Sequence, residues 1–274
     1  MLSRSRILAA TAAAVAALAG AAATNATAAA GDITPGVMTF TEGAQCTANF
    51  VFTDGKDTFI GQAAHCSGTG AATDTNGCEA ESLPLGTKVE IDGASRPGTL
   101  VYNSWLTMRA VKEDDENACA YNDFALVKLD PADQGSFSPK IPVIGGPTGI
   151  DRDGVAVGEE VFSYGNSSLR SGITQLSPKQ GVSLGTTGDG WTHPVYTLTP
   201  GVPGDSGSPF LNGTGQALGV LSTLSIAPTP LSNGVSDLGK MLDYANSEGG
   251  LKNVTLVRGD AFDNSLPILR GLLG

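Results

Sequence analysis

A chain of 274 residues that is 41% hydrophobic carries enough apolar material for a packed core, which excludes a disordered protein and suits one large domain or two small ones. Its formal charge of −11 repels phosphate backbones and anionic bilayers, so nucleic acid and membrane surfaces are excluded as partners. With 37 glycines and 15 prolines spread along it, the chain offers few places for long helices, and an all-β fold is expected.

Residues 1–30 begin with Arg4 and Arg6, continue through the apolar run ILAATAAAVAALAG, and end on small residues with Ala26-Thr27-Ala28 or Ala28-Ala29-Ala30 as cleavage sites. This is the three-part layout of a secretory signal peptide, and Asn25 with its neighbouring threonines interrupts it too early for a spanning helix. Its removal takes two arginines and no acid, which makes the mature chain more negative still. Next, NFVF and TFIGQAA flank Asp54-Gly55 as a hairpin, and TKVEID, GTLVYN and FALVKL read as further strands. KEDDEN, from Lys112 to Asn117, lacks the alternating ligands and glycine of a calcium loop and reads as a solvated loop. A Pro/Gly/Ser-rich span from Pro131 to Gly154 then reads as a linker before the later strands VAVGEEVFSYG, PVYTLTP and QALGVLSTLS. Finally, SDLGKMLDYANS puts Leu238, Met241, Leu242 and Ala245 at helical spacing behind a serine cap. The expected organisation is a domain over 31–248, with β-units at about 36–135 and 155–235 and a helix at about 236–247, followed by a tail over 249–274 that lies against the surface.

The chemistry-bearing residues are few. Four cysteines, Cys46, Cys66, Cys78 and Cys119, suit an exported protein with two disulfides, and three pairings are open. With no Cys-x-x-Cys spacing and two histidines in all, no metal site is expected. In GDSGSP, from Gly204 to Pro209, Ser206 stands where a turn or a nucleophile could be, and a serine hydroxyl needs a neighbouring base to become one. Both His65 and His193 precede it. That order excludes an α/β-hydrolase, whose histidine follows its serine and whose elbow needs glycine where Ser208 stands. A subtilisin-like reading fails for want of helices. His65, in GQAAHC, ends a predicted strand, and Asp123, in NDFALVKL, precedes an apolar one and so needs a donor partner. A buried aspartate that accepts from an imidazole N–H leaves the other ring nitrogen free to take a proton from a hydroxyl.

AAHC, DFALV and GDSGSP, in that order, resemble the chymotrypsin-like (trypsin-fold) serine peptidases, above all secreted actinobacterial members, over about residues 40–246. The resemblance implies two antiparallel six-stranded β-barrels with a C-terminal helix and a site in the cleft between the barrels. It implies Ser206 as nucleophile, His65 as general base and then acid, Asp123 as its orienter, Ser222 as a support for that aspartate, and the N–H groups of Gly204 and Ser206 as the oxyanion hole. It also implies a Cys46–Cys66 bridge beside His65, which leaves Cys78 with Cys119, and no metal or organic cofactor. His193 has no counterpart in the triad and reads as a structural or rim residue.

The sequence departs from the family pattern in having no cysteine after Cys119 and a serine at Ser208 where glycine is commoner. The specificity pocket is expected from about Thr199 to Pro203, with Pro200 and Pro203 in its wall, and from Leu221 to Leu224. Between Gly201 and Val235 the one charged residue is Asp205, so small or medium apolar side chains are expected before the scissile bond. Asp205 itself needs a cation, either an internal one such as Arg170 or an N-terminus exposed near Ile33. The expectation is a monomeric secreted serine endopeptidase acting on proteins or peptides; the alternatives are an inactive binding protein on the same fold and an esterase using the same triad.

Overall fold

The computed structural model describes residues 33–70, 75–224 and 231–265. The signal-peptide reading over residues 1–30 and the last nine residues of the tail lie outside them. Among the described residues, fourteen strands and three α-helices form two β-units that meet across a shared apolar core.

The first unit contains β1 (Met38–Thr41), β2 (Ala44–Thr47), β3 (Val51–Thr53), β4 (Thr58–Gln62), β5 (Lys88–Ile91), β6 (Gly98–Asn103) and β7 (Ala125–Lys128). The expected hairpin is β3–β4, turned at Asp54, whose carboxylate accepts the N–H groups of Lys56 and Asp57, with Gly55 at φ +88°. The expectation of two closed barrels holds for one unit only. Here the strands form an open eight-stranded sheet in the order β14-β3-β4-β7-β6-β5-β1-β2, where β14 (Thr255–Leu256) comes from the far end of the chain. Closure would need β2 to meet β3, but that edge of β3 is taken by β14, and Thr47 at the end of β2 donates its N–H to Ser206 O instead.

The second unit is a closed antiparallel barrel in the order β10-β13-β12-β11-β8-β9. Its strands are β8 (Val157–Tyr164), β9 (Pro178–Leu184), β10 (Thr192–Thr197), β11 (Pro209–Asn212), β12 (Ala217–Leu224) and β13 (Asn233–Asp237). Val161, Val195, Phe210, Leu218, Leu221 and Val235 fill it. A barrel has no exposed edge, so it holds the strands on either side of Ser206 in one register.

Three further elements correct the sequence reading. Two short helices, α1 (Ser104–Val111) and α2 (Glu116–Tyr121), occupy the stretch between the GTLVYN and FALVKL strands, where no helix is expected and KEDDEN reads as a loop. Asn103 caps the first by accepting from Trp105 and Leu106 N–H, and Asp115 caps the second, so Lys112 to Asp115 of KEDDEN turn between the two helices and Glu116 and Asn117 begin the second. The late helix α3 (Leu238–Ser247) is capped by Asp237, not by the expected serine: the Asp237 carboxylate, one residue after Ser236, accepts Lys240 N–H at 2.7 Å. The expected linker is a packed strap that buries Ile141 and Ile144. The tail is likewise structural: Val254 is buried, both its backbone groups bond to the Asn246 side chain, and Phe262 stands edge-on to Phe162 with ring centroids 5.3 Å apart.

Candidate active site

His65 sits in a 3-10 turn, Ala64–Ser67, directly after β4. The structure joins Cys46 to Cys66 and Cys78 to Cys119, so one bridge ties the residue after His65 to β2 and the other ties α2 to the loop before β5. Cys46, His65 and Cys66 are close enough to suggest a metal cluster, but the two sulfurs are bonded to each other and offer no thiolate. Asp123 lies between α2 and β7, buried at 4% exposure, and receives three donors. His65 gives its backbone N–H at 2.9 Å and Nδ1 at 2.7 Å; Ser222, crossing from β12 of the barrel, gives its hydroxyl at 2.6 Å. Burial alone would raise the Asp123 pKa, but the charge and hydrogen bonds of His65 and the Ser222 hydroxyl hold it below the usual carboxylate value. Burial likewise opposes charge on His65, and the Asp123 carboxylate outweighs it, leaving the imidazole pKa raised. With Nδ1–H given to the carboxylate, Nε2 carries the lone pair.

Ser206 lines the same cleft as His65 and Asp123. Its neighbour Gly207 has φ +89°, and a Cβ there would stand 2.4 Å from Thr47 O and 3.0 Å from Ala63 N, so glycine lets the loop press against β2 and the end of β4. Gly204 has φ +96°, where a Cβ would meet the Gln45 and Ser167 side chains. The N–H groups of Gly204 and Ser206 find no acceptor among the described residues. Asp205 between them is fully buried and is gripped by both guanidinium Nη atoms of Arg170, with Lys179 Nζ at 3.1 Å and Val202 N–H at 3.1 Å. The internal cation therefore exists, with a second beside it that sequence reading missed. Ile33, the alternative source of a cation, is packed in the first unit's core of the uncut chain and bridges Phe137.

The cleft has a volume of about 610 Å³. Of the expected pocket residues, Gly201, Val202, Pro203, Leu221, Thr223 and Leu224 line it. Thr199 and Pro200 do not. Their carbonyls turn away to accept from Lys179 Nζ at 3.0 and 3.3 Å, because that buried ammonium needs more acceptors than Asp205 supplies. Asn233, unnoticed in the sequence, joins the lining and accepts Gly201 N–H through Oδ1 at 2.9 Å. His193 is outside the cleft and fully buried, its ring bonded to Thr186 Oγ1 and Asp237 Oδ2, each at 3.0 Å.

The family model described as a trypsin-like peptidase domain matches residues 63–220, more than half of the chain and the whole span from His65 to Ser206. The chain belongs to the trypsin-like peptidase family. Among solved structures, Thermobifida fusca protease A aligns over 83% of this trypsin-like chain and all of its own at 19% identity with a TM-score of 0.54, a likeness of fold. A Nocardiopsis protease aligns over 82% of this chain and 98% of its own, at 18% identity and a TM-score of 0.49. A Cellulomonas bogoriensis chymotrypsin does so over the same shares at 17% identity and a TM-score of 0.48. A search of the curated proteins finds no match. As a trypsin-like peptidase the chain is a hydrolase of the serine protease type with peptides as substrates, and none of its described helices is long and apolar enough to cross a membrane.

Proposed function

We propose that this trypsin-like peptidase is a secreted endopeptidase, of the actinobacterial type, that cleaves peptide bonds through an acyl-enzyme on Ser206. The observation that carries the reading is the relay Ser222–Asp123–His65, which spans both β-units and opens into the cleft that Ser206 lines. In it, Ser206 Oγ attacks the substrate carbonyl while His65 Nε2 takes the hydroxyl proton; Asp123 holds the ring's tautomer and stabilises the imidazolium. The carbonyl oxygen gains its negative charge beside the Gly204 and Ser206 N–H groups, which have no other acceptor among the described residues. His65 then gives the proton to the leaving amine, and water repeats the cycle on the acyl-enzyme.

The pocket beyond the scissile bond is walled by Val202, Pro203, Leu221 and Leu224, and the carboxylate nearest in sequence, Asp205, is occupied by Arg170 and Lys179. It suits small or medium apolar side chains. Export is supported by the leader-like residues 1–30 and by two disulfides. Because Arg170 and Lys179 already neutralise Asp205, no freed N-terminus is required, and the enzyme is active once exported. Casein, a peptide library and simple esters, each offered to the purified protein, test the reading. Peptide-bond cleavage after apolar residues is expected; ester turnover without peptide turnover would make it an esterase, and turnover of neither a binding protein.

A further inference from the structure

Three successive carbonyls leading to Ser206 are held, the first two from outside the turn and the third within it. Pro203 O accepts the Ser167 hydroxyl at 2.5 Å. Gly204 O accepts from Gln45 Nε2 at 2.9 Å and Thr47 Oγ1 at 2.8 Å. Asp205 O accepts from Ser208 twice, from Oγ at 2.5 Å and from N–H at 3.0 Å. In a trans peptide the N–H points away from the C=O across the same plane. Fixing Pro203 O therefore aims Gly204 N–H the other way, and fixing Asp205 O does the same for Ser206 N–H.

The first of these peptides is the one that needs holding. Gly204 has φ +96°, and glycine tolerates either sign of φ at little cost. Its own conformation does not choose between the peptide that offers N–H to the cleft and the overturned one that offers Pro203 O. Ser167 makes that choice, and its hydroxyl has one way to point: the oxygen accepts Leu169 N–H at 3.1 Å, which leaves the single proton for Pro203. The residue is 2% exposed, so water does not compete.

We propose that Ser167 is a positioning residue that latches the Pro203–Gly204 peptide so that the oxyanion hole stands open before substrate arrives. The proposal rests on the peptidase reading above. Ser208, the serine that stands where glycine is commoner, does the same for the second donor, but its own N–H backs up its hydroxyl and makes the hydroxyl the lesser contribution. One short turn thus carries both the latch and Arg170, the cation of Asp205.

The test compares wild type with Ser167→Ala, Ser167→Thr and Ser208→Ala, measuring kcat and KM on a peptide anilide and the affinity of a peptide aldehyde, whose adduct places an oxyanion between the two donors. Losing one neutral hydrogen bond shifts an equilibrium roughly three- to tenfold. Ser167→Ala is therefore expected to lower kcat and aldehyde affinity by a common factor of that size with KM unchanged, Ser167→Thr to recover most of it, and Ser208→Ala to lose less. A Ser167→Ala enzyme within twofold of wild type in both, or one whose loss sits in KM and in the melting temperature, overturns the latch alone. A wild-type protein that neither cleaves peptides nor takes up a fluorophosphonate overturns the peptidase reading and the latch with it.

Discussion

Replacing Asp205 by asparagine leaves two cations in the interior without their anion. Lys179 is fully buried and the Arg170 side chain is 9% exposed, while Asp205 itself has no exposed surface. Removing one member of a buried ion pair costs about 3–5 kcal/mol, because the remaining charge has lost both water and partner. Arg170→Met is milder: the carboxylate keeps Lys179 and Val202 N–H, each at 3.1 Å, and the loss is that of charged hydrogen bonds, about 1.5–3 kcal/mol. The two variants also differ in pH dependence. Burial holds the Lys179 pKa below the ordinary lysine value despite Asp205, and removing the carboxylate lowers it further. A base whose folded pKa lies below its unfolded one binds fewer protons when folded, so stability rises with pH between the two values, more steeply in Asp205→Asn than in wild type. Urea unfolding followed through Trp105 and Trp191 at pH 7 and pH 9 measures both effects. An Asp205→Asn protein no less stable than Arg170→Met, or one with no steeper pH dependence than wild type, would refute the reasoning.

Three further outcomes are expected. The acid limb of kcat/KM reports His65, which must be neutral to accept a proton; its raised pKa places the loss of activity, as pH falls, above the ordinary imidazole value of about 6.5, and a limb well below that contradicts the Asp123 contact. A peptide-library profile is expected to show small or medium apolar residues before the cut, whereas efficient cleavage after arginine would mean that a carboxylate reaches the pocket. Phe262→Ala is expected to cost about 2 kcal/mol in urea unfolding, since the half-buried ring packs on Phe162 and covers Gly215; an unchanged midpoint would return the tail to the role of a surface appendage.

Legibility in the sequence followed how local each feature is. The β3–β4 hairpin and the GTLVYN strand are visible because turn residues and apolar alternation lie in one short window. Strand β9 was hidden: it begins with proline and carries Lys179, a residue type that reads as exposed until Asp205 is brought beside it by the fold. Helices α1 and α2 are too short for a periodic pattern, and the cap of α1, Asn103, is also the last residue of a strand. Strand β14 could not be foreseen, since it pairs Thr255 with Thr53 across the length of the chain. Within the site, His65, Asp123 and Ser206 each stand in a contiguous motif that can be read off the chain. Gln45 and Ser167 carry no such motif, because their contacts with Gly204 and Pro203 span 159 and 36 residues. The open first unit has the same origin: β14, a strand distant in sequence and not a local pattern, occupies the edge that closure would need.

The central claim is that Ser206 is a nucleophile activated by His65. Its most direct measurement is fluorophosphonate labelling of the purified protein, with the adduct located by peptide mass spectrometry, in wild type, Ser206→Ala and His65→Ala. One adduct on Ser206 is expected in wild type, none in Ser206→Ala, and labelling slowed by several orders of magnitude in His65→Ala, since the members of such a triad act as a unit. An adduct on another residue, or wild-type labelling rates in His65→Ala with loss on substitution of His193, would contradict it.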